Sequence, residues 1–398
     1  MASPVSVQFR NSILTAVLIA SYGCPDVRSA TLPEGVWVRE GYTLSIAEDS
    51  IQKPRFMAFD DKGGLFVSVP SKGKIFRCVD ADKDGVYESK TVFLEGYESG
   101  QILQAVQYHE GSLWCADMTH IYQATDEDQD GKADKVLERV GPDQLPISGG
   151  GHKWRALLIH DGLIYTHVGD QGNATDEPIT TNDRKKIWTF QMDGSSKELF
   201  ATGIRNTEKL VVRPGSDEIW GVDHDIDTLA TKMESKKPEW GQPITDHNPP
   251  AELNHYVKGG FYGHPYILGK NMPNLNFLDH PDLLEMASKN VIPEWLFPAH
   301  CSGNGMCFLE GDQLPGGQGD AVVAFKGGWN ASQKVGYCVS RILFEFGHPY
   351  GEQKLVNFLK DGSEILGRPT DCVEAPDGSI LFSDDSKHRI YRLRYTGK

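Results

Sequence analysis

Residues 54–69 read PRFMAFDDKGGLFVSV, which is an apolar strand, a turn containing Asp-Lys-Gly-Gly, and a second apolar strand. Five further stretches repeat this pattern, and they begin at Gln104, Arg155, Glu208, Gly305 and Thr370. Apolar and polar residues alternate within the stretches, which indicates β-strands. A strand repeat of about 40 to 60 residues is typical of propeller blades, whereas a two-sheet sandwich has no reason to repeat its pattern so often. The sequence therefore predicts an all-β fold, a six-bladed β-propeller with loop insertions on one face.

The spacing of the repeats divides the chain into regions. Residues 31–398 hold all the copies and are predicted to form one propeller domain. The wider gap after the fourth copy marks an insertion over about 225–297, which we expect on the face that carries the loops. Residues 1–30 contain a positive charge at Arg10 and a short apolar run at 13–20, the pattern of an export signal. We therefore expect the protein to be exported, periplasmic or secreted; a disordered cytosolic leader is the alternative.

Composition excludes several classes of function. The formal net charge is −15, so the chain lacks the basic surface that binding to nucleic acid requires. After the N-terminal run, no segment reaches the roughly 18 apolar residues of a membrane helix. The seven cysteines include no Cys-x-x-Cys pair and no Cys-x-x-Cys-His motif, which argues against zinc ribbons and attached haem. A disulfide could bridge Cys301 and Cys307 in an oxidising compartment, and free thiols are the alternative.

Two loops carry alternating acidic residues with a glycine at the sixth position. Their carboxylates are Asp80, Asp82, Asp84 and Glu88 in the first loop and Asp126, Asp128, Asp130 and Asp134 in the second. Such a loop directs several oxygens at one hard cation, so the pattern predicts a structural calcium ion in each. Thr91 and Leu137 stand where an EF-hand needs Glu, which excludes true EF-hands. We expect both loops between successive blades at the periphery; metal-free hairpin turns are the alternative.

A series of short motifs follows along the chain. They are HKWR at 152–155, GDQGN at 169–173, GIRN at 203–206, ELN at 252–254 with GGFYGHPY at 259–266, KGGWN at 326–330, and APDG at 375–378. Their order and spacing resemble the soluble pyrroloquinoline quinone (PQQ) dependent glucose/sorbosone (aldose sugar) dehydrogenase family over roughly residues 35–398. The resemblance implies a six-bladed propeller and a PQQ- and Ca²⁺-dependent enzyme that oxidises a sugar or related polyol. Because the chain has no haem motif, its electrons would pass to an external acceptor.

The resemblance also implies roles for individual residues. His152 matches the general base that takes the hydroxyl proton of the sugar while hydride passes to the quinone, and this work suits an imidazole. Arg205 and Asn206 match residues that lie against the cofactor, where the Arg205 guanidinium stabilises charge developing on the quinone oxygen. Lys326 and Arg368 match cations that pair with the carboxylates of the cofactor.

Other positions are implied by the same resemblance. Gln101 matches a glutamine beside the base, and His224 and Asp225 match positions whose backbone carbonyls hold the catalytic calcium. Two departures separate this chain from the glucose enzymes. The glucose enzymes carry an aspartate at the position of Gly151 and a second arginine at the position of Thr370 in this chain. The first departure leaves the base less oriented, and the second removes a charge that would bind the cofactor.

Two other functions stay open at this point. A calcium-dependent lactonase-type hydrolase would need a central carboxylate cluster, which Asp170, Asp223, Asp225 and Asp385 could supply. A propeller without catalysis that binds a glycan or protein partner is the other possibility. The sequence does not fix the oligomeric state.

Overall fold

The computed structural model describes residues 31–95, 103–147, 150–177, 180, 182–229 and 244–397. One compact unit runs from Leu32 to Lys398. It contains six sheets of four or five strands, arranged as the blades of a β-propeller, so the predicted fold class is confirmed. The predicted export signal and Gln101 lie outside the described residues. Among the described residues, no helix has the length and apolar character needed to cross a membrane.

The first three blades follow chain order, and each is an antiparallel meander. Blade 1 contains Met57–Phe59, Leu65–Val69, Lys74–Val79 and Ser89–Leu94. Blade 2 contains Ala105–His109, Ser112–Ala116, Ile121–Thr125 and Lys135–Val140. Blade 3 contains Arg155–His160, Leu163–Val168, Lys186–Gln191 and Glu198–Thr202, and Gly260–Phe261 is added to its edge in parallel.

The last three blades include strands from distant parts of the chain. Blade 4 contains Val211–Val212, Ile219–Asp223, Ala251–Tyr256 and Trp295–Phe297. Blade 5 contains Gly303–Phe308, Ala321–Phe325, Cys338–Glu345 and His348–Asn357, with Trp37–Val38 at its edge. Blade 6 contains Pro369–Glu374, Ile380–Asp384 and Arg389–Tyr395, and its outermost strand is the N-terminal Tyr42–Glu48. This strand closes the ring.

The range predicted as an insertion, 225–297, contains blade strands as well as loops. Its two longest strands are the outer strands of blade 4, and a third strand extends blade 3. The remaining small elements are the helices Ile244–His247 and Leu283–Lys289, the 3-10 turns Pro70–Lys72 and Leu275–Phe277, and the ribbons Ile267–Leu268 with Met272–Pro273 and Leu359–Lys360 with Glu364–Ile365.

The core lies between neighbouring blades, because both faces of each sheet are covered. In strand Leu65–Val69 every residue is buried: Leu65, Val67 and Val69 pack towards blade 6, and Phe66 packs towards blade 2. Successive side chains of a strand point to opposite faces, so one apolar strand supplies two interfaces. Each fully buried side chain of this kind contributes about 1.5–3 kcal/mol. The repeated apolar strands therefore stabilise the ring at each of its junctions.

The cysteines within the described residues are free thiols, and most of them are buried in these interfaces. Cys301 is not bonded to Cys307, so the structure agrees with the expectation of free thiols and not with that of a disulfide. Cys307 instead lies beside Cys372 of the next blade, with 4.0 Å between the sulfur atoms.

Candidate active site

A charged pocket of about 390 Å³ opens at one end of the propeller axis. The side chains that line it stand at or just before the start of an innermost strand, or just after a second strand. They include Arg55, His152, Trp154, Arg205, Asn206, Glu208, His224, Asp225, Asp227, His300, Asn304, Lys326, Trp329 and Arg368. In an antiparallel sheet the start of one strand and the end of the next meet at the same edge. The fold therefore brings these residues together although they are spread over more than 300 positions of the sequence.

The floor of the pocket is a buried ionic group centred on Glu208. Its Oε2 accepts hydrogen bonds from Arg55 Nη2 at 2.8 Å, Gln104 Nε2 at 3.1 Å and Asn304 Nδ2 at 3.0 Å. Burial opposes ionisation of Glu208, but the charge of Arg55 holds its pKa below the ordinary value. Glu208 also lines a second axial cavity of about 400 Å³ on the other side of the ring, so it stands between the two.

His152 is held by the loop that follows the second strand of blade 3. Its backbone N donates to the carbonyl oxygen of Asp170 at 2.9 Å, and its Nδ1 lies 3.0 Å from the same oxygen. A carbonyl only accepts, so Nδ1 carries the proton and Nε2 keeps its lone pair. Nε2 has no hydrogen-bond partner within the described ranges. Burial, followed by the charge of Arg205, lowers the pKa of His152 to about 4, so the imidazole is neutral at neutral pH.

The residue before His152 is glycine for a steric reason. Gly151 has φ of +67°, and a Cβ there would collide with the backbone carbonyl of Gln171. An aspartate at this position would require the loop to move. The carboxylate of Asp170 is occupied elsewhere: it accepts from His264 Nε2 at 2.7 Å and from Thr175 N at 2.8 Å. His152 is therefore oriented by a backbone carbonyl.

Arg205 is buried and its guanidinium is bonded on several sides. Nε donates to the Asn173 carbonyl at 2.9 Å, and Nη1 donates to the His224 carbonyl at 3.1 Å. Asn206 Nδ2 lies 3.3 Å from His224 Nδ1, whereas the buried Oδ1 of Asn206 has no partner among the described residues. Asn206 thus keeps an acceptor for a ligand in the pocket.

Three cations form one wall of the pocket, named here the cationic wall: Arg55, Lys326 and Arg368. Lys326 and Arg55 both pair with Asp385, and the Arg55 Nη1 contact is 3.0 Å. Arg368 donates from Nε to the Lys326 carbonyl at 3.1 Å. This wall can receive an anionic ligand through charge-assisted hydrogen bonds.

The positions expected for the catalytic calcium are His224 and Asp225. The His224 carbonyl already accepts from the Arg205 guanidinium, a positive group that would repel a cation at this oxygen. The Asp225 carboxylate is better suited: burial, together with the nearby charge of Asp223, raises its pKa to about 8. Asp223 itself accepts from the backbone N of Arg205 and Asn206 at 2.8 and 2.6 Å. A cation beside Asp225 would relieve this cost of burying carboxylates.

The carboxylates named for a lactonase-type site do not form one cluster. Asp170 pairs with His264, Asp223 binds backbone N–H groups, and Asp385 pairs with Lys326. Within the described residues, the groups of three or more neighbouring His, Cys, Asp or Glu ligands lie in the two acidic loops. The structure therefore does not favour the hydrolase hypothesis.

The two acidic loops lie within blades 1 and 2, each between the third and fourth strands, so the expectation that they connect successive blades was wrong. Their hydrogen bonds match: Gly85 N donates to Asp80 Oδ2 and Gly131 N to Asp126 Oδ2, both at 2.9 Å. The other carboxylate oxygen of Asp80 and of Asp126 is buried without a partner among the described residues.

The loops differ in how many carboxylates converge. Asp80, Asp82, Asp84 and Glu88 converge in the first loop, and Asp126, Asp128 and Asp130 in the second. Asp134 is not one of the converging carboxylates of the second loop, although it accepts from Glu127 N at 2.7 Å as Glu88 accepts from Ala81 N at 3.1 Å. The second loop also contains Lys132, whose Nζ lies 3.0 Å from Asp130 Oδ2.

Sequence reasoning did not select Arg55, Trp154, Glu208 and Asn304, which line the pocket with the expected residues. All of them stand at or just before the start of an innermost strand. That shared position in the repeat is the signal that would have found them.

The fold is that of a six-bladed β-propeller with a charged pocket at one end of its axis. The chain belongs to the family described as domain of unknown function DUF7133, whose model matches residues 34–237, just over half of its length. A relative described as an uncharacterized protein of Borreliella burgdorferi is 26% identical over 427 residues, covering 98% of both chains.

Solved structures share this fold at low sequence identity. A Trichoderma reesei carbohydrate-active enzyme of family AA12 superposes with a TM-score of 0.77 at 18% identity, covering 93% of this chain and 99% of that one. The PQQ domain of a Coprinopsis cinerea pyranose dehydrogenase gives 0.76 at 18%, covering 93% and 99%. The Escherichia coli soluble aldose sugar dehydrogenase gives 0.62 at 16%, covering 90% and 100%. The resemblance stated from sequence is thus confirmed at the level of fold.

Proposed function

We propose that this protein is a PQQ- and Ca²⁺-dependent dehydrogenase that oxidises a sugar or related polyol, with His152 as general base. The observation that carries the proposal is the placement of a neutral imidazole and a cationic wall in one axial pocket. The names of the structures that share the fold, a pyranose dehydrogenase PQQ domain and an aldose sugar dehydrogenase, support the same chemistry.

The pocket suits an anionic, planar cofactor. Lys326 and Arg368 supply positive charge on one wall, and the Asn206 Oδ1 atom is a buried acceptor without a partner in the described part of the chain. When bound, PQQ supplies an electron-poor quinone that accepts hydride, and its carboxylates require cations around them. The chain's contribution is to hold the cofactor by its charges and to orient it in the pocket.

His152 removes the substrate proton. As the substrate's hydroxyl-bearing carbon loses hydride, its O–H proton passes to His152 Nε2, and the product is a carbonyl compound. The Asp170 carbonyl fixes the ring by accepting from Nδ1, so the lone pair of Nε2 keeps its direction. Arg205 carries positive charge in the same pocket and stabilises negative charge that develops during the transfer.

We place the calcium ion of the pocket at the Asp225 carboxylate, and structural calcium ions in the two acidic loops. The unpartnered Oδ1 atoms of Asp80 and Asp126 support the loop sites, since each is the first ligand position of its loop. The electrons leave to an external acceptor. Export to the periplasm or the medium remains a prediction.

Reconstitution tests the proposal. The purified chain is mixed with PQQ and Ca²⁺, bound quinone is followed by its absorbance, and dye reduction is measured with a panel of aldoses and polyols. Cofactor binding with turnover is the expected result. Hydrolysis of lactones without quinone binding would instead support the hydrolase, and neither activity would support a binding propeller.

A further inference from the structure

Arg55 is a charged residue of the pocket that no sequence motif indicated. It stands two residues before the innermost strand of blade 1, Met57–Phe59, and is 7% exposed. Its side chain lines the same pocket as Lys326 and Arg368. Buried arginines are uncommon unless they are paired or serve a ligand, so its contacts decide its role.

Several groups hold the Arg55 guanidinium in place. It donates to Glu208 at 2.8 Å and to Asp385 at 3.0 Å. The Cζ atom of Arg55 lies 4.2 Å from the centre of the Trp154 ring. The buried Nε of Arg55 has no hydrogen-bond partner within the described residues. A guanidinium has five N–H donors, so this one retains donor capacity after its two ion pairs.

The charge of Arg55 acts on the same part of the pocket as Lys326. Burial, and then the positive charge of Arg55, lower the pKa of the Lys326 ammonium even though Asp385 works in the other direction. Arg205 belongs to a separate hydrogen-bonded group, because its guanidinium contacts Asn173 and His224 and is not bonded to Lys326, Arg368 or Asp385 in the described part of the chain. The cationic wall therefore has three members.

Thr370 is the position where the resemblance would place a second arginine. Thr370 is fully buried, its hydroxyl donates to the Arg368 carbonyl at 3.2 Å, and it does not line the pocket. Without Arg55, the cationic wall would offer a tricarboxylate ligand only Lys326 and Arg368.

We propose that Arg55 is the third cation that binds the carboxylates of the cofactor. It would supply, from the start of blade 1, the positive charge that Thr370 does not provide. This inference rests on the proposed function. Glu208, Asp385 and Trp154 position the guanidinium, so little side-chain freedom is lost when the ligand arrives.

The test compares equilibrium binding of PQQ to the calcium-loaded full chain, measured by absorbance titration, in charge-balanced variants. Arg55→Gln alone would leave Glu208 as an uncompensated buried charge and could unfold the chain. The variant is therefore the double substitution Arg55→Gln/Glu208→Gln, which keeps the net charge of the wild type. Glu208→Gln alone is the reference that retains Arg55.

The matched control is Arg213→Gln/Glu218→Gln. This pair has the same residue types, is joined by a 3.1 Å contact, and lies outside the pocket. We expect the Arg55→Gln/Glu208→Gln variant to bind PQQ about tenfold or more weakly than both Glu208→Gln and the control, since one charge-assisted contact is lost. Equal affinity in the three variants would overturn the role of Arg55.

A second probe separates this inference from the proposed function. Benzene-1,3,5-tricarboxylate has no redox chemistry but presents three carboxylates on a planar ring, and its binding is measured by calorimetry. If the wild type binds this probe in an Arg55-dependent way but does not bind PQQ, the proposed function is wrong and the anion site stands. If PQQ binds, and the affinities for PQQ and for benzene-1,3,5-tricarboxylate are both unchanged by the Arg55 substitution, only the inference about Arg55 is wrong. Failure to bind either probe would overturn both.

Discussion

The axial pocket and the two acidic loops both gather ionised side chains, but they do so by different means. In the pocket, Arg55 meets Glu208 and Asp385, which are 153 and 330 positions away in the chain. In the first loop, Asp80 to Glu88 converge within nine residues, held by their own backbone N–H groups. The pocket balances charges of opposite sign, whereas the loops gather mainly carboxylates, whose mutual repulsion a bound cation would offset.

This difference indicates how each region should respond to change. Removing one charged side chain from the pocket leaves its ion-pair partner buried without compensation. Substitutions in the pocket should therefore affect ligand binding and catalysis strongly. The acidic loops lie outside the pocket, so their variants should affect calcium affinity and stability but not turnover.

The largest expected effect is on turnover. His152→Ala should reduce kcat by about 10²- to 10⁴-fold, because the proton acceptor is lost. PQQ affinity should stay close to that of the wild type, since the cationic wall is intact. Dye-reduction kinetics and quinone titration measure the two quantities. His109→Ala, at a partly exposed histidine outside the pocket, is the control. Full activity of His152→Ala would remove the base from the mechanism.

The pH dependence of the wild type gives a second check on His152. The residue must be neutral to accept a proton, and its pKa is lowered to about 4 by burial and Arg205. We therefore expect kcat/KM to rise as the pH increases through about 4 and to lie on a plateau near neutrality. A half-maximal point near pH 6.5, the ordinary value for histidine, would show that the site is more open to water than the structure indicates.

The next effect concerns cofactor affinity. Lys326→Ala should weaken PQQ binding by about tenfold to a hundredfold, because a partly buried ammonium on the cationic wall is removed. Turnover at saturating PQQ should change much less. Lys258→Ala, which breaks a surface ion pair with Glu198, is the matched control. An unchanged dissociation constant for Lys326→Ala would place the cofactor on another wall.

The loops should show their role in stability. Calcium at about 100 times its dissociation constant should stabilise the chain by about 2.7 kcal/mol for each occupied loop, so the two loops together should raise Tm by about 6 to 7 °C, and a chelator should reverse the shift. Asp82→Asn with Asp128→Asn should abolish most of that increment and leave PQQ-dependent kcat unchanged. The control variant Asp217→Asn, at an exposed aspartate outside the loops, should retain the full calcium-dependent increase in Tm. A calcium response that survives the double substitution would locate the metal elsewhere.

Acid should destabilise the ring through its buried histidines. Burial lowers the pKa of His167 to about 3 and that of His264 to about 4, whereas in the unfolded chain both take up protons near pH 6.5. The unfolded state therefore binds more protons between these values, and the free energy of unfolding should fall as the pH decreases from about 6.5 to about 4. Denaturant unfolding at several pH values measures this slope, and His167→Gln should make it shallower. A pH-independent free energy of unfolding would contradict the assignment.

The smallest effect distinguishes the two loops from each other. Lys132→Val should raise the calcium affinity of the second loop by about two- to fivefold, because the ammonium beside Asp130 is removed and the loop becomes like the first, which has Val86 there. Calorimetry of chain carrying Asp82→Asn isolates the second loop. Lys135→Val, outside the loop, is the control. A lower affinity for Lys132→Val would show that Lys132 supports the loop conformation.

Much of the site could be predicted because its motifs lie beside strand ends. His152, Arg205, Asn206, Lys326 and Arg368 were selected from sequence, and the structure brings all of them to one pocket. Their chemical roles remain proposals. Arg55 and Glu208 could not be selected from sequence because neither lies in a conspicuous motif. The role of each depends on the ion pair that they form with one another. An ion pair across 153 positions leaves no local trace in the sequence.

The sequence by itself determined the blades and the acidic loops, because both depend on short-range rules: strand alternation, turn glycines, and carboxylates spaced along a tight loop. The tertiary structure alone decided that Tyr42–Glu48 closes blade 6, that strands from 225–297 complete blade 4, and which charges meet at the axis. The physical reason is that ring closure fixes which strand ends face one another. That geometry results from packing all six blades together and is not contained in any one repeat.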